Sequence, residues 1–189
     1  MDLTASEQRL VQYYKGISTI TELEEIKLAY GYRVVMREVK KLVIVYSIAL
    51  LLGIFLELLV LQIGFLIFRQ VSYGLHCSSF KSCMVFSSII FPSLTWFTIN
   101  TSFSTVTIWI LYACALALLC LMGPISSQKT AVRGEAHRRF LRKKMYKRMV
   151  SLTVLLVLLP QSIAILLIAG VLMETVLVSL SWLNIKEEF

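Results

Sequence analysis

The fold is decided by residues 42–68, which have the sequence LVIVYSIALLLGIFLELLVLQIGFLIF. This run of 27 residues contains one charged residue, Glu57. A helix crosses the apolar core of a bilayer in about 20 residues, so the run is longer than one crossing and shorter than two full ones. A charge at the bilayer centre of a lipid-facing helix costs at least about 2.5 kcal/mol. We therefore predict that the run bends near Gly53 to Glu57, or that Glu57 faces other protein segments.

The composition indicates the same class of protein. Of the 189 residues, 58% are hydrophobic, and the mean hydropathy is +0.78. A soluble domain of this size would need a more polar surface. The prediction is an all-α polytopic integral membrane protein. The first apolar run starts only at Leu42, after a charged stretch without a short apolar segment and a small-residue cleavage site, so no cleavable secretion signal is expected.

The charge of the connections predicts how the chain crosses the membrane. Two further apolar runs, 84–99 and 105–122, are joined by the uncharged residues 100–104. Basic connections stay on the cytoplasmic side, so the connection 126–149 is predicted to be cytoplasmic and the joint 100–104 to be outside. Counting back across two spans places Cys83 on the cytoplasmic side. This favours a first run that returns to the inside as a hairpin, with its turn near Gly53 to Glu57, or as a re-entrant equivalent.

The last apolar run, residues 150–183, is again longer than one span. Pro160, Gly170 and Glu174 are predicted to break it, and two short helices there would mirror the first hairpin. The prediction is therefore about six membrane helices, four of them short, with both termini cytoplasmic. The alternative is four full spans.

The net charge of +8 is concentrated in two places. Seven Lys or Arg residues precede Leu42, and nine lie between Lys129 and Arg148. Both clusters adjoin apolar runs, where basic residues mark the cytoplasmic face and meet anionic headgroups. Nucleic-acid binding is therefore a poor interpretation, and membrane lipids are the expected partners of these charges.

Residues 1–41 are predicted to be helical, with a break between Gly16 and Thr21, where hydroxyl side chains can cap a second helix. One stripe of that second helix is apolar: Leu23, Ile26, Tyr30 and Val34. We predict an amphipathic helix at the inner membrane surface that continues into the first apolar run. The alternative is a solvated lead-in.

Candidate chemistry lies at residues 73–83, which have the sequence YGLHCSSFKSC. The segment holds His76, one of two histidines, and two of the four cysteines, Cys77 and Cys83. A cysteine becomes a nucleophile when a nearby base favours its thiolate. On a straight helix His76 and Cys83 would lie roughly 10.5 Å apart along the axis, so residues 78–82 are predicted to turn back.

Other interpretations stay open from the residues alone. Apolar helices carry cysteines as small hydrophobes, and a lone histidine near an interface often has no role. A metal site is weaker still, because Cys77 and Cys83 lack CxxC spacing and no fourth ligand is near. Cys114 and Cys120 lie inside an apolar run, and all four cysteines are interpreted as reduced.

The same segment resembles the active-site region of the AgrB family, the membrane cysteine peptidases of bacterial quorum sensing. In that family a Gly-x-His is followed, after six residues that include Ser-Ser-Phe, by the catalytic cysteine. Here the matching residues are Gly74-Leu75-His76, Ser78-Ser79-Phe80 and Cys83.

The resemblance covers nearly the whole chain. A charged N-terminal helix runs into residues 41–46, the first apolar run ends with residues 65–69, and the basic residues 142–146 precede an apolar end. The chain departs from many relatives at residues 70–73, where they carry more Arg and His, and in the extra thiol of Cys77.

The resemblance implies a specific reaction. The family cleaves AgrD, the precursor of an autoinducing peptide, and helps to close the released fragment into a thiolactone ring. Here His76 would take the proton of Cys83, and the Cys83 sulfur would then hold the fragment as an acyl-thioester. The reaction would need no cofactor or metal. The expected location is the bacterial cytoplasmic membrane, multi-pass, with the active site facing the cytoplasm. The partner would be an AgrD-like precursor, and a homodimer is left open.

Further site residues are weaker hypotheses. Ser78 and Ser79 can orient the base or donate to the oxyanion, or they can simply form the turn. His137 is interpreted as a surface cation. The acidic part of the precursor is expected to bind basic side chains, with anionic lipid as the competing ligand. These side chains are Arg138, Arg139, Arg142, Lys143 and Lys144.

The predicted organisation is an N-terminal region, residues 1–41, and a membrane peptidase domain, residues 42–189, with the active-site segment 73–83 and the basic cytoplasmic loop 126–149. A different class stays open. A noncatalytic small membrane protein, such as a transporter subunit or a scaffold, would show the same spans and basic connections.

Overall fold

The computed structural model describes residues 4–17, 21–72, 79–125 and 134–187, with side chains up to residue 183. These ranges contain seven α-helices and no strand, which confirms the all-α prediction. The helices are α1 (Ala5–Ile17), α2 (Glu22–Leu51), α3 (Phe55–Ser72), α4 (Phe80–Asn100), α5 (Thr105–Met122), α6 (Gly134–Leu158) and α7 (Gln161–Glu187). The chain forms two compact units, residues 1–47 and 48–189.

In the first unit, ion pairs join α1 to the first part of α2. The Arg33 guanidinium donates two hydrogen bonds to Glu7, from Nε to Oε1 at 2.7 Å and from Nη2 to Oε2 at 2.9 Å. Lys15 pairs with Glu25 at 2.7 Å. The bidentate geometry of the Glu7 pair fixes both the distance and the orientation of the two helices. Its hydrogen bonds lower the pKa of Glu7 from 4.5 to about 2.

The predicted break between Gly16 and Thr21 is confirmed, because α1 ends at Ile17 and α2 begins at Glu22. Thr21 and Glu24 form a capping box. The Thr21 N–H donates to Glu24 Oε2 at 2.8 Å, and the Glu24 N–H donates to Thr21 Oγ1 at 3.4 Å. This exchange satisfies two N–H groups that the start of a helix leaves without partners.

The apolar stripe predicted on α2 is exposed. Leu23 is 61% exposed and Tyr30 is 63% exposed, and Ile26 and Val34 are exposed as well. Four apolar side chains on one helical face are therefore exposed at the surface of this unit. Such a face is typical of a helix that lies in a membrane surface.

The predicted bend in the run 42–68 is confirmed at Gly53. Here α2 ends at Leu51 and α3 begins at Phe55. Gly53 has a positive φ of 69°; its N–H bonds to Leu50 O, and the Ile54 N–H bonds to Ala49 O. This pair of bonds is a Schellman motif, which glycine favours because it has no Cβ. Glu57 lies in the first turn of α3, where the helix dipole favours a negative charge.

Four helices are long and apolar enough to cross a membrane: α3, α4, α5 and Gln161–Leu183 of α7. Within the described residues the number of candidate spans is therefore four, as in the alternative prediction of four full spans. The predicted six included the apolar ends of α2 and α6 as separate short helices. In the structure, each apolar end is instead the second part of a longer helix whose first half is charged. Neither end alone has the roughly 20 apolar residues that a full crossing requires.

The last apolar run is interrupted at Pro160, since α6 ends at Leu158 and α7 begins at Gln161. Proline lacks the N–H that a continuous helix needs. The predicted breaks at Gly170 and Glu174 are wrong, because both residues lie inside α7. Both positions serve contacts with α3 instead.

Two glycines allow α3 and α7 to approach closely. A Cβ atom on Gly64 would lie 2.2 Å from the carbonyl oxygen of Leu167, and one on Gly170 would lie 2.1 Å from that of Leu61. No larger residue fits at either position unless the helices move apart. Small residues permit this close approach between membrane helices. The crossing packs the middle of α3 against α7, and the C-terminal end of α3 contacts the middle of α7 through Ser72 and Glu174.

The helix α6 carries the basic segment into the core of the second unit. Its buried residues are Leu141, Met145, Met149, Leu152 and Leu156. The Tyr112 hydroxyl of α5 is hydrogen bonded to Thr153 of α6 at 2.9 Å. From Gly134 onward, the predicted basic loop 126–149 is therefore helical and packed beside α5.

Candidate functional site

Cys83 closes the first turn of α4. Its N–H donates to the carbonyl oxygen of Ser79 at 3.1 Å. Ser79 is the N-cap residue, with extended φ and ψ of −118° and 144°. The Cys83 thiol is free and half-buried.

Three other residues of the candidate site lie outside the described residues. These are His76, the extra thiol Cys77 and Ser78, all in the segment 73–78. The pairing of His76 with Cys83 therefore stays a prediction.

The structure corrects where the chain can turn back. A reversal was predicted within residues 78–82, but α4 begins at Phe80, and residues 80–82 are helical. Hydrogen bonding along the helix fixes the direction of these residues. Since α3 ends at Ser72, any reversal toward the sulfur lies between the two helices.

A buried polar cluster lies directly before the segment 73–78. Glu174 of α7 is fully buried. The hydroxyl of Ser72 lies 2.5 Å from Glu174 Oε1 and 2.9 Å from the carbonyl oxygen of Phe68. Nη1 of Arg69 lies 3.5 Å from Glu174 Oε2. A buried carboxylate needs a paired charge and hydrogen bonds, and this cluster supplies both.

The same serine is bound through its backbone. The N–H of Ile125 donates to the carbonyl oxygen of Ser72 at 3.1 Å. Ile125 is buried and follows α5. Two connections of the chain thus begin side by side: residues 73–78, which hold His76, and residues 126–133, which lead to the basic segment.

The predicted basic residues lie on the first half of α6. Arg138, Lys143 and Lys144 are exposed, as is Arg139, which pairs with Glu135 at 2.9 Å. Nε of Arg142 lies 3.4 Å from the carbonyl oxygen of Gly123. Gly123 is two residues before Ile125, so Arg142 lies close to the start of the connection 126–133. His137 is exposed and stacks on Phe140.

Comparison with known families agrees with these features. The family model described as accessory gene regulator B matches residues 7–178. The chain belongs to the AgrB family. Membership supports a role related to quorum sensing, and the four apolar helices are compatible with an AgrB-family membrane protein.

Relatives in two genera support the AgrB assignment. The chain is 27% identical to an AgrB-like protein of Listeria monocytogenes over 145 residues, which are 71% of this chain and 66% of the relative. It is 27% identical to accessory gene regulator protein B of Staphylococcus aureus over 147 residues, 78% of this chain and 76% of the relative. The chain thus spans slightly less than two thirds of the Listeria protein. No solved structure matches this AgrB-family chain.

Sequence reasoning missed the polar cluster of this AgrB-family chain. Glu174 was predicted only as a break, and Arg69 only as the end of an apolar run. Opposite charges in two apolar runs were a usable signal, because ionisable groups in membrane segments pair with one another. The apolar context of Glu174 alone could not show that Arg69 was its partner.

Proposed function

We propose that this chain is a membrane cysteine endopeptidase that processes the precursor of a quorum-sensing peptide. The observation that carries the proposal is the half-buried free thiol of Cys83 at the first turn of α4. This turn of α4 comes shortly after the segment that contains His76, and the family match covers both His76 and Cys83. The first N–H groups of a helix lack partners within the helix and favour negative charge. This position suits a thiolate and the oxyanion that forms beside it.

In the proposed first step, His76 takes the proton of the Cys83 thiol. The sulfur then attacks the scissile carbonyl carbon of the precursor and forms a tetrahedral intermediate. The C–N bond breaks, and the proton on His76 passes to the leaving amine. The N-terminal fragment remains bound to Cys83 as an acyl-thioester.

In the second step, a cysteine thiol within that fragment attacks the thioester carbonyl. The new carbon–sulfur bond closes a thiolactone ring, and the proton returns to the thiolate of Cys83. One thioester replaces another, so ring closure balances without ATP, metal or organic cofactor. Water is the competing nucleophile, and a site shielded from bulk water would suppress hydrolysis.

The proposed substrate is an AgrD-like precursor with an acidic C-terminal part. The exposed side chains Arg138, Arg139, Lys143 and Lys144, together with Arg142, give α6 a strongly positive first half. The Ser72–Ile125 hydrogen bond supports a location of this half near the segment with His76. We infer that α6 holds the part of the precursor that leaves after cleavage. Because basic connections stay on the cytoplasmic side, we also infer that the cleavage and capture sites face the cytoplasm, which requires the apolar end of α2 to carry the chain toward the outer side so that α3 returns it.

Co-expression with a tagged precursor tests the proposed peptidase. Cys83→Ala and His76→Ala should each abolish cleavage, because each removes a reacting group. Cys77→Ala should leave substantial activity, and Cys114→Ala, at an exposed thiol on α5, is the matched control. Wild-type cleavage by Cys83→Ala would show that this thiol does not carry the reaction, and an inactive Cys77→Ala protein beside it would show that the wrong thiol was assigned. No cleavage by the wild-type chain would favour a noncatalytic membrane protein.

A further inference from the structure

An open groove of about 630 Å³ lies between α3 and α6. One end of the groove is apolar and is lined by Ile63, Leu66 and Leu155. The other end is basic and is lined by Lys144, Lys147 and Arg148. The groove therefore has the two chemical regions of an amphiphile with an anionic head.

The basic end is arranged by α6. Lys144, Lys147 and Arg148 are spaced so that they lie on one face of the helix. Nη1 of Arg148 donates to the carbonyl oxygen of Ile67, and Nη2 donates to Gln70 Oε1 at 2.9 Å, so this guanidinium is fixed to the end of α3. In the described part of the chain, neither Lys144 nor Lys147 has a carboxylate partner. Two ammonium groups without a carboxylate partner thus border the groove, and that of Lys144 also lies 6.0 Å from the centre of the Phe140 ring.

The apolar end belongs to a candidate membrane span. Ile63 and Leu66 lie in α3, and both are exposed, at 46% and 43%. Leu155 faces them from the apolar half of α6 and is also exposed. Apolar side chains at the depth of a membrane span are solvated by acyl chains.

We propose that this groove binds one anionic phospholipid. Its phosphate lies between Lys144 and Lys147, and one acyl chain lies along Ile63, Leu66 and Leu155. A lipid fits this groove better than an acidic peptide, because a peptide carboxylate would use the basic end alone. Lys144 is shared with the proposed peptide-binding surface, and in this groove it serves the lipid. The proposal does not depend on peptidase activity.

The test measures lipid retention by the full chain. The protein is purified in detergent and mixed with dioleoylphosphatidylglycerol or dioleoylphosphatidylcholine, and bound lipid is counted by native mass spectrometry. The two lipids have the same acyl chains, so a preference for the first reports the head group. Lys144→Gln with Lys147→Gln should weaken retention of the anionic lipid by about tenfold, since each basic side chain near an anionic headgroup adds its own attraction.

The matched control is Arg138→Gln with Lys143→Gln, which removes the same charge from exposed positions of α6 that do not line the groove. It should leave retention unchanged. Leu66→Trp keeps the charges but fills the apolar end, and it should also weaken retention. The Leu66→Trp variant therefore tests the site even if the Lys144→Gln/Lys147→Gln variant fails to fold.

Three results would overturn the proposal. The wild-type chain could retain both lipids equally, or the two double variants could lose the anionic lipid equally, which would mean unspecific attraction. The third result is that a soluble acidic peptide binds the wild-type chain but not the Lys144→Gln/Lys147→Gln variant, while lipid retention is unchanged. The groove would then be a peptide site.

Discussion

The N–H of Ile125 is hydrogen bonded to the carbonyl oxygen of Ser72 at 3.1 Å, where Ser72 is the last residue of α3 and Ile125 follows α5. The bond brings together the starts of two connections, one with His76 and one that leads to the basic half of α6. Under the proposed function, a peptide bound at the first connection would also meet this positive half of α6. This relationship supports a common location for cleavage and for capture of an acidic substrate segment.

Charge reversal on α6 tests substrate capture. Arg142→Glu with Lys143→Glu should reduce cleavage by about tenfold, since exposed ion pairs each contribute up to about 1 kcal/mol. Cleavage is measured by co-expression with a tagged precursor, and membrane insertion is checked by fractionation. A precursor with a reversed, basic C-terminal part should partly restore activity.

The control for charge reversal is Lys27→Glu with Lys40→Glu, which changes the same charge at exposed positions of α2. It should leave cleavage unchanged. Loss of cleavage that no reversed precursor restores would show that the basic half of α6 only anchors the chain in the membrane.

Removal of the buried carboxylate tests the polar cluster. Glu174→Ala leaves Arg69 without its charge partner, and breaking a buried pair typically costs about 3 kcal/mol. The thermal unfolding temperature in detergent should therefore fall sharply, and cleavage should fall with it. Glu174→Gln keeps a hydrogen-bond acceptor for Ser72 and should be less damaging.

Thr175→Val is the matched control for the cluster, because Thr175 is buried on the same helix and bonds only within it, to Val171 O at 2.8 Å. Its loss should be about 1 kcal/mol or less. Equal effects of Glu174→Ala and Thr175→Val would argue against a special role of the cluster.

Alanine at the helix crossing tests the close approach of α3 and α7. Gly64→Ala places a Cβ atom 2.2 Å from the carbonyl oxygen of Leu167, so the helices must separate. Overpacking of this kind costs about 1 to 3 kcal/mol. Gly31→Ala is the control, since a Cβ atom there meets nothing within 4 Å, and it should be neutral or slightly stabilising. Similar unfolding temperatures for both variants would contradict the packing described.

The Glu7–Arg33 pair predicts a pH dependence in the first unit. The pKa of Glu7 is lowered from 4.5 to about 2, so the pair stabilises the folded state fully above pH 4.5. This stabilisation is lost as the pH falls from 4.5 toward 2, because protonation then favours the unfolded state. Hydrogen exchange of α1, corrected for intrinsic rates, should increase over this range, and Glu7→Gln should remove most of the change. Constant protection down to pH 2 in the wild type would refute the prediction.

Thiol labelling tests the orientation of Cys83. In a variant with Cys83 as its sole cysteine, a membrane-impermeant reagent should label only after the inner face is opened. Ser102→Cys, in the joint predicted to be outside, is the opposite control and should be labelled in intact cells. Labelling of Cys83 in intact cells would contradict the cytoplasmic site.

Local features of the fold were predictable from sequence, and contacts between helices were not. The bend at Gly53 followed from a run too long for one span that contains a glycine and a charge. Gly170 and Glu174 carry similar local signals, but α7 continues through both because α3 supplies a partner for each. The start of α4 at Phe80 was also missed, since serines suit a turn and a helix cap equally well.

The glycine crossing also bears on when the site can form during synthesis. Sliding α3 along α7 by one residue would press a larger side chain against the partner backbone at Gly64 or Gly170, so the register of the two helices is unique. This register brings Glu174 to Ser72. The ribosome makes α7 after every other described helix. The end of α3 therefore lacks its partner Glu174 until α7 has entered the membrane.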